Sequence, residues 1–288
     1  MDYQDYNIAD CPFRVVGTDL VEAVRAMPGF APFEMEGTEE LSFLVLEEED
    51  VPAVEKELYH FEADGVLSVF CKTENGSLLK MERAEDRQIL QLWTEKGGQK
   101  VFLQGSKEPQ LLRFALWMGF GLMNVYEGRI CLHCSCIVND GKAYIFLGES
   151  GTGKSTHTRL WGEHIPGSHL LNDDSPILTV REDGIYVYGS PWSGKTPCYQ
   201  QKCFPLGGAV RLSQAPYNQM TRLSRLRAFA AIHPSCPPDF AYDEYLYSGV
   251  TKTLDSVLAV VPFYHLECLP DRAAAVLSYE TLTGKSLN

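Results

Sequence analysis

The sequence predicts a mixed α/β protein. An N-terminal, mainly antiparallel β domain covers residues 1–108, and an α/β nucleotide-binding domain covers residues 109–288. Three observations carry this expectation. The first 108 residues consist of short alternating segments punctuated by Gly, Asn and acidic runs. From residue 109 onward, strand patterns and helical patterns follow one another. Between one such strand and one such helix stands a glycine-rich run, Gly148-Glu149-Ser150-Gly151-Thr152-Gly153-Lys154-Ser155.

Taken in order, residues 41–46, 66–72, 78–83, 89–94 and 100–103 read as strands. Glu74-Asn75-Gly76 separates two of them and is a hairpin signal. Residues 109–126 form a helical pattern with apolar residues on most faces, and Gly128 is a natural stop. A strand is expected over 130–138, a turn at Asn139-Asp140-Gly141, and a second strand over 143–147 that runs straight into the glycine-rich loop. A helix is expected over 155–163. The next strand, 168–171, ends at Asn172-Asp173-Asp174, and further strands and turns reach Tyr188. A helix over 222–232, a strand over 264–269 and a helix over 272–280 complete the expected order.

Composition narrows the function classes. The chain has 288 residues, 45% of them hydrophobic and 22% charged, the profile of a soluble globular protein. No apolar run reaches the roughly 18–20 residues of a membrane span. The acidic, polar start MDYQDYNIAD is unlike a secretory signal, so a cytoplasmic address is expected. A net charge of −13 disfavours nucleic acid as a partner. Arg222, Arg225 and Arg227 make a local basic patch, of which Arg222 and Arg225 have the spacing of a solvated helix face. The nine cysteines are scattered and read as free thiols. Cys131, His133, Cys134 and Cys136 crowd together, but strand alternation sends Cys134 and Cys136 to one face and Cys131 and His133 to the other. A closed zinc site needs four convergent ligands, with Cys198 and Cys203 as the conceivable second pair. Buried strand cysteines are the plainer reading.

The run at 148–155 fits the phosphate-loop pattern of a glycine, four residues, then Gly-Lys-Ser. Its glycines let successive amides turn inward and cradle phosphate oxygens. Lys154 is placed to reach terminal phosphates and the Ser155 hydroxyl to ligate Mg²⁺, with Thr156 continuing the binding segment into the helix. ATP and Mg²⁺ are the expected ligands. Asp173 and Asp174 close the next strand; they read either as Mg²⁺ ligand and proton acceptor or as ordinary turn residues. His133 reads either as a functional group or as a satisfied strand histidine. Gly189-Ser-Pro-Trp-Ser-Gly-Lys195 is a turn-forming loop whose Lys195 suits an anionic substrate, or it is a structural loop.

From about residue 111 to 178 the chain resembles the catalytic domain of HPr kinase/phosphorylase. The matching residues are His133, the loop at 148–155 and Leu171-Asn172-Asp173-Asp174. The loop is also similar to that of ATP-dependent phosphoenolpyruvate carboxykinases. The resemblance implies a related kinase fold, with His133 and Asp174 as active-site residues, Asp174 as the proton-shuttling base and Asp173 as the metal or water partner. It also implies a homo-oligomer. The chain departs from the family at 188–194, where Tyr-Gly-Ser-Pro-Trp-Ser-Gly stands in place of a segment carrying an Mg²⁺-binding glutamate. That puts HPr itself, and the phosphorylase reaction, in doubt as substrate and activity. The expectation is an ATP-dependent kinase acting on a hydroxyl of a protein, peptide or small molecule. The alternative is a nucleotide-binding regulatory or peptide-binding module with little turnover.

Overall fold

Alternation of buried and exposed residues over the first strands lays out the first hairpin: β1 (Tyr3–Ile8) and β2 (Cys11–Val16) pair antiparallel, with Ile8 opposite Cys11. The two linking residues, Ala9 and Asp10, have φ of 52° and 55°, the primed-turn geometry that suits strand twist. The computed structural model describes residues 2–63, 65–194 and 196–287. It is mixed α/β, with six α-helices and two nine-stranded sheets among the described residues. The chain divides into two compact units, residues 1–127 with 239–249 and residues 128–238 with 250–288.

The first unit continues with α1 (Thr18–Arg25), β3 (Glu34–Met35), β4 (Phe43–Glu47), β5 (Val54–Ala63), β6 (Val66–Thr73), β7 (Gly76–Arg83), β8 (Ile89–Glu95), β9 (Lys100–Gly105) and α2 (Pro109–Asn124). Its sheet runs β3-β1-β2-β4-β9-β8-β7-β6-β5. Pairing is antiparallel except at β2–β4 and β4–β9, which are parallel. The hairpin expected at 74–76 joins β6 to β7, with Lys72 opposite Ser77. Phe13 stacks on Phe43 at 4.8 Å between ring centres, and Phe120 of α2 meets Phe43 edge-on. That packing, with α2 lying against β8 and β7, draws residues 109–124 into the first unit. The contact division therefore falls at 127/128, where the sequence reading places it at 108/109.

The second unit contains β10 (Arg129–Cys131), β11 (Cys134–Asn139), β12 (Lys142–Leu147), α3 (Lys154–His164), β13 (His169–Asp174), β14 (Ile177–Arg181), β15 (Gly184–Tyr188), β16 (Cys203–Gln214), β17 (Gln219–Arg222), α4 (Arg225–Ile232), the later part of α5 (Glu244–Val260), β18 (Phe263–Cys268) and α6 (Arg272–Thr283). Its sheet runs β10-β14-β15-β16-β12-β11-β13, with β18 also on β16 and β17 on β18. The strands β12, β16 and β18 are parallel neighbours, and the phosphate-loop pattern leaves the C-terminal end of β12. Phe146, Val210, Leu212 and Leu266 on one face of these strands pack against Leu160 and Trp161 of α3 and Ala275 and Tyr279 of α6.

Two local expectations are corrected. The strand expected over 130–138 is two strands, broken at Leu132 and His133. The Leu132 amide continues the β10–β14 register by donating to Pro176 O (3.0 Å), where the ladder ends because proline has no N–H to return. The His133 amide turns away to donate to Ser235 O (2.7 Å). Arg222 is not helical: it pairs with Tyr264 in β17, and α4 begins only after the extended residue Ser224. Arg222 and Arg225 therefore share no helix face. The sequence reading also passes over α1, α5 and the length of β16. Among the described residues no helix is long and apolar enough to cross a membrane.

Candidate functional site

Residues 148–153 form a glycine-shaped loop between β12 and α3, and Lys154 and Ser155 open the helix. Gly148 has φ of +151°, and a Cβ there would meet the Thr152 hydroxyl at 2.5 Å, so a larger residue cannot hold this bend. Gly153 caps the N-terminus of α3 in the left-handed region at φ 104°, with no side-chain cap on the first helical amides. Amides at a helix N-terminus are chemically suited to an anion such as phosphate. Ser155 lies exposed in the first turn and Thr156 is half-buried beside it.

Lys154 folds back over the loop. Its Nζ donates to Gly148 O at 2.8 Å and Glu149 O at 3.2 Å, and it lies 3.0 Å from His133 Nε2. An ammonium has donors only, so His133 Nε2 accepts and its proton sits on Nδ1. Nδ1 in turn lies 3.2 Å from Asp174 Oδ1. A continuous polar chain therefore runs Asp174–His133–Lys154 to the loop carbonyls. Burial pulls the Lys154 pKa below its ordinary value, opposed by Cys134, Asp174 and Asp173 nearby. The Cys134 thiol is fully buried and pushed well up, which keeps it un-ionised.

The break between β10 and β11 creates this geometry, because it releases His133 from strand alternation. Cys131, Cys134 and Cys136 lie buried in two different strands, while His133 is half-exposed. Among the described residues there is no group of three or more His, Cys, Asp or Glu side chains placed to hold a metal. That does not bear on Mg²⁺ at Ser155 and Asp173, since Mg²⁺ commonly takes one or two protein oxygens and completes its shell with phosphates and water.

Asp173 is buried on β13, opposite Ser135, whereas Asp174 opposes Cys134. Ser135 faces α3, its hydroxyl 2.9 Å from that of Thr158. The adjacent carboxylates thus leave opposite faces of the strand end. Asp174 has φ of +155°, a value L-residues rarely adopt, and it makes an isolated β-bridge to Ser193. Such an outlier beside a polar chain marks a position held by its surroundings. The holding residues are Asn172, which the sequence reading carries only as part of the motif at 171–174, and the loop that it reads as lying over an anionic substrate or as structural. Asn172 is fully buried: its Nδ2 donates to Ser190 Oγ and Trp192 O, each at 3.2 Å, and its Oδ1 accepts from Ser175 N at 2.9 Å. Ser190 Oγ donates to Ser175 O at 2.6 Å, and Gly194 N donates to Asp173 O at 2.6 Å. The loop at 189–194 is therefore stitched onto the two aspartates. Lys195 lies outside the described residues.

A cleft of about 580 Å³ opens beside the loop. Its walls include Gly151, Thr156 and Leu160 on one side and Leu212, Ala215 and Pro270 on the other. Its mainly apolar lining, continuous with the loop backbone, suits a flat ring attached to a phosphate chain. One wall comes from the glycine-rich motif and α3, but no motif announces the facing wall, which comes from β16, the end of β18 and the residues after each. No family model matches the chain, and no curated protein matches it either.

Proposed function

We propose that the protein is an ATP-dependent kinase, related to the HPr kinase/phosphorylase catalytic domain, that transfers the γ-phosphoryl group to a hydroxyl of a protein, peptide or small molecule. The observation that carries this reading is the chain Asp174–His133–Lys154 ending on the phosphate loop. A carboxylate and a cation stand on either side of one imidazole, beside the loop that in this reading holds the terminal phosphates. In this reading the base of ATP occupies the cleft at Thr156 and Leu160, and the loop amides and Lys154 hold the phosphates. Asp174 takes the proton of the acceptor hydroxyl as its oxygen attacks, and His133 fixes the orientation of both Asp174 and Lys154. Ser155 and Asp173 would hold Mg²⁺, which when bound neutralises charge on the transferring group. The rest is positioning: the loop at 189–194 keeps the aspartates in place, and the glycine-shaped loop keeps the donors pre-aimed.

The alternative, a nucleotide-binding module with little turnover, draws on the absence of any carboxylate from Tyr188 to Gly194. Two measurements separate the readings. Calorimetric titration with Mg-ATP should give binding to wild type that is lost in Lys154→Ala; equal affinities would sink the nucleotide assignment. Incubation with γ-labelled ATP and cell extract, separating labelled protein from labelled small molecules, should then show acceptor-dependent transfer. Binding without transfer to any acceptor or to water would select the module.

A further inference from the structure

We propose that Arg211 is a second phosphate-binding cation of this site, contacting the terminal phosphoryl group of the nucleotide; the inference rests on the nucleotide reading above. Arg211 stands on β16 directly opposite Leu147, the last residue of β12 before the loop. Its neighbours Val210 and Leu212 belong to the core under α3 and α6, so alternation puts Arg211 on the other face. That is the face of Cys134 and Asp174, by the register from β12 through β11 to β13. Arg211 and Asp174 therefore share one face, three strand spacings apart, roughly 14 Å. The first residues of the loop start between them.

Its reach is also fixed. Arg211 Nη2 lies 3.9 Å from Glu149 Oε1. Lys154 Nζ bonds the carbonyls of Gly148 and Glu149. Two cations thus converge on the same dipeptide, one from the helix and one from the neighbouring strand. Among the described residues Glu149 is the only ion-pair partner of Arg211, the contact is long, and the Glu149 side chain is 84% exposed. So weak a pairing is readily exchanged for phosphate oxygens, which a planar guanidinium binds in pairs. A second point of attachment keeps the end of β16 on the loop: Gln214 Nε2 donates to Gly151 O at 3.2 Å. The strand that carries Arg211 is thereby held against the loop on both faces. Glu149 acts as a competitor that the terminal phosphoryl group must displace.

The test is calorimetric titration of the full chain with Mg-ATP and, separately, Mg-ADP. Arg211→Gln should weaken ATP by about 10–30-fold while changing ADP by less than about threefold, because only ATP carries the contacted group. Arg211→Lys should fall between, since an ammonium keeps the charge without the paired donors. Glu149→Gln should tighten ATP by about two- to fivefold by removing the competing carboxylate, and the double variant should lose that gain. Equal losses for ATP and ADP, or none for either, would overturn the role of Arg211 while leaving the nucleotide site intact. If Arg211→Gln fails to fold, an unchanged ATP affinity in Glu149→Gln overturns it instead. Wild type binding neither nucleotide would mean that the underlying reading had failed.

Discussion

At the scale of single residues, the two aspartates at the end of β13 separate by face. Asp174 touches His133 and is aimed to the side where Cys134 and Arg211 lie, whereas Asp173 is buried and faces α3 with Ser135. Their variants should therefore behave differently. Asp174→Asn keeps the shape and one acceptor oxygen but abolishes the basic carboxylate, so transfer should fall by about 10²–10⁴-fold. Mg-ATP affinity should shift by less than about tenfold, since the loop amides, Lys154 and Ser155 are untouched. Asp173→Asn should slow transfer and also raise the Mg²⁺ concentration needed for half-maximal binding. Rates and titrations on both variants check this. Near wild-type transfer by Asp174→Asn would discard it as the base and make His133 the next candidate.

Among elements, two joints hold the site. The first is Asn172, which knits β13 to the loop at 189–194 through both ends of its amide. Asn172→Ala strands several buried polar groups at once and should cost about 2–4 kcal/mol, read as a lower urea midpoint. Protease cleavage within 189–194 should become faster in the same variant, because the loop loses its anchor. The second joint is the Ser278 hydroxyl on α6. It donates to Ala275 O at 2.9 Å, so it must accept from Trp161 Nε1 at 2.8 Å and from His157 Nε2 at 2.9 Å. Both donors come from α3, the helix that follows the glycine-rich loop. Ser278→Ala should destabilise the second unit by about 1–3 kcal/mol by leaving two buried N–H groups without an acceptor. A change indistinguishable from zero in the urea midpoint would show that the joint is ornamental.

For the whole molecule, the two units should respond to pH in opposite directions. Asp239 in the first unit is buried, its Oδ1 has no partner among the described residues, and burial raises its pKa to about 7. The folded state then binds this proton more tightly than the unfolded chain. The resulting stability is complete below the ordinary carboxyl value of 3.8 and is lost as pH rises to about 7. His157 in the second unit is buried and burial lowers its pKa to about 4. Its contribution is present above the ordinary value of 6.5 and is lost as pH falls toward 4. Each effect amounts to about 1.4 kcal/mol per pH unit across its window, as an upper bound. Hydrogen exchange read separately from β7 and β12 should show protection of β7 falling from pH 4 to 7 and that of β12 rising. Asp239→Asn should flatten the first profile and leave the second unchanged; parallel profiles in wild type would refute the assignment.

The phosphate-loop pattern, its flanking strand and helix, the hairpin at 74–76 and the turn at 139–141 are all legible in chain order. Each rests on short-range chemistry: glycines where the backbone must bend, alternation where one face is buried, and a helix start beside Lys154. The pairing of His133 with Asp174 and Lys154 could only be expected through a resemblance, because residues 21 and 41 positions apart meet only in the folded chain. The rest was decided in three dimensions. The break at Leu132–His133 exists because Pro176, opposite Leu132, has no N–H to extend the β10–β14 ladder, and the distant Ser235 carbonyl takes the His133 amide. Arg222 is drawn into a strand by the free edge of β18, against its helical spacing with Arg225. Arg211 reads in sequence as one more charge after an apolar run. It becomes a neighbour of the loop only because β16 and β12 lie parallel with Leu147 opposite it, a relation that strand registry sets and local sequence does not encode.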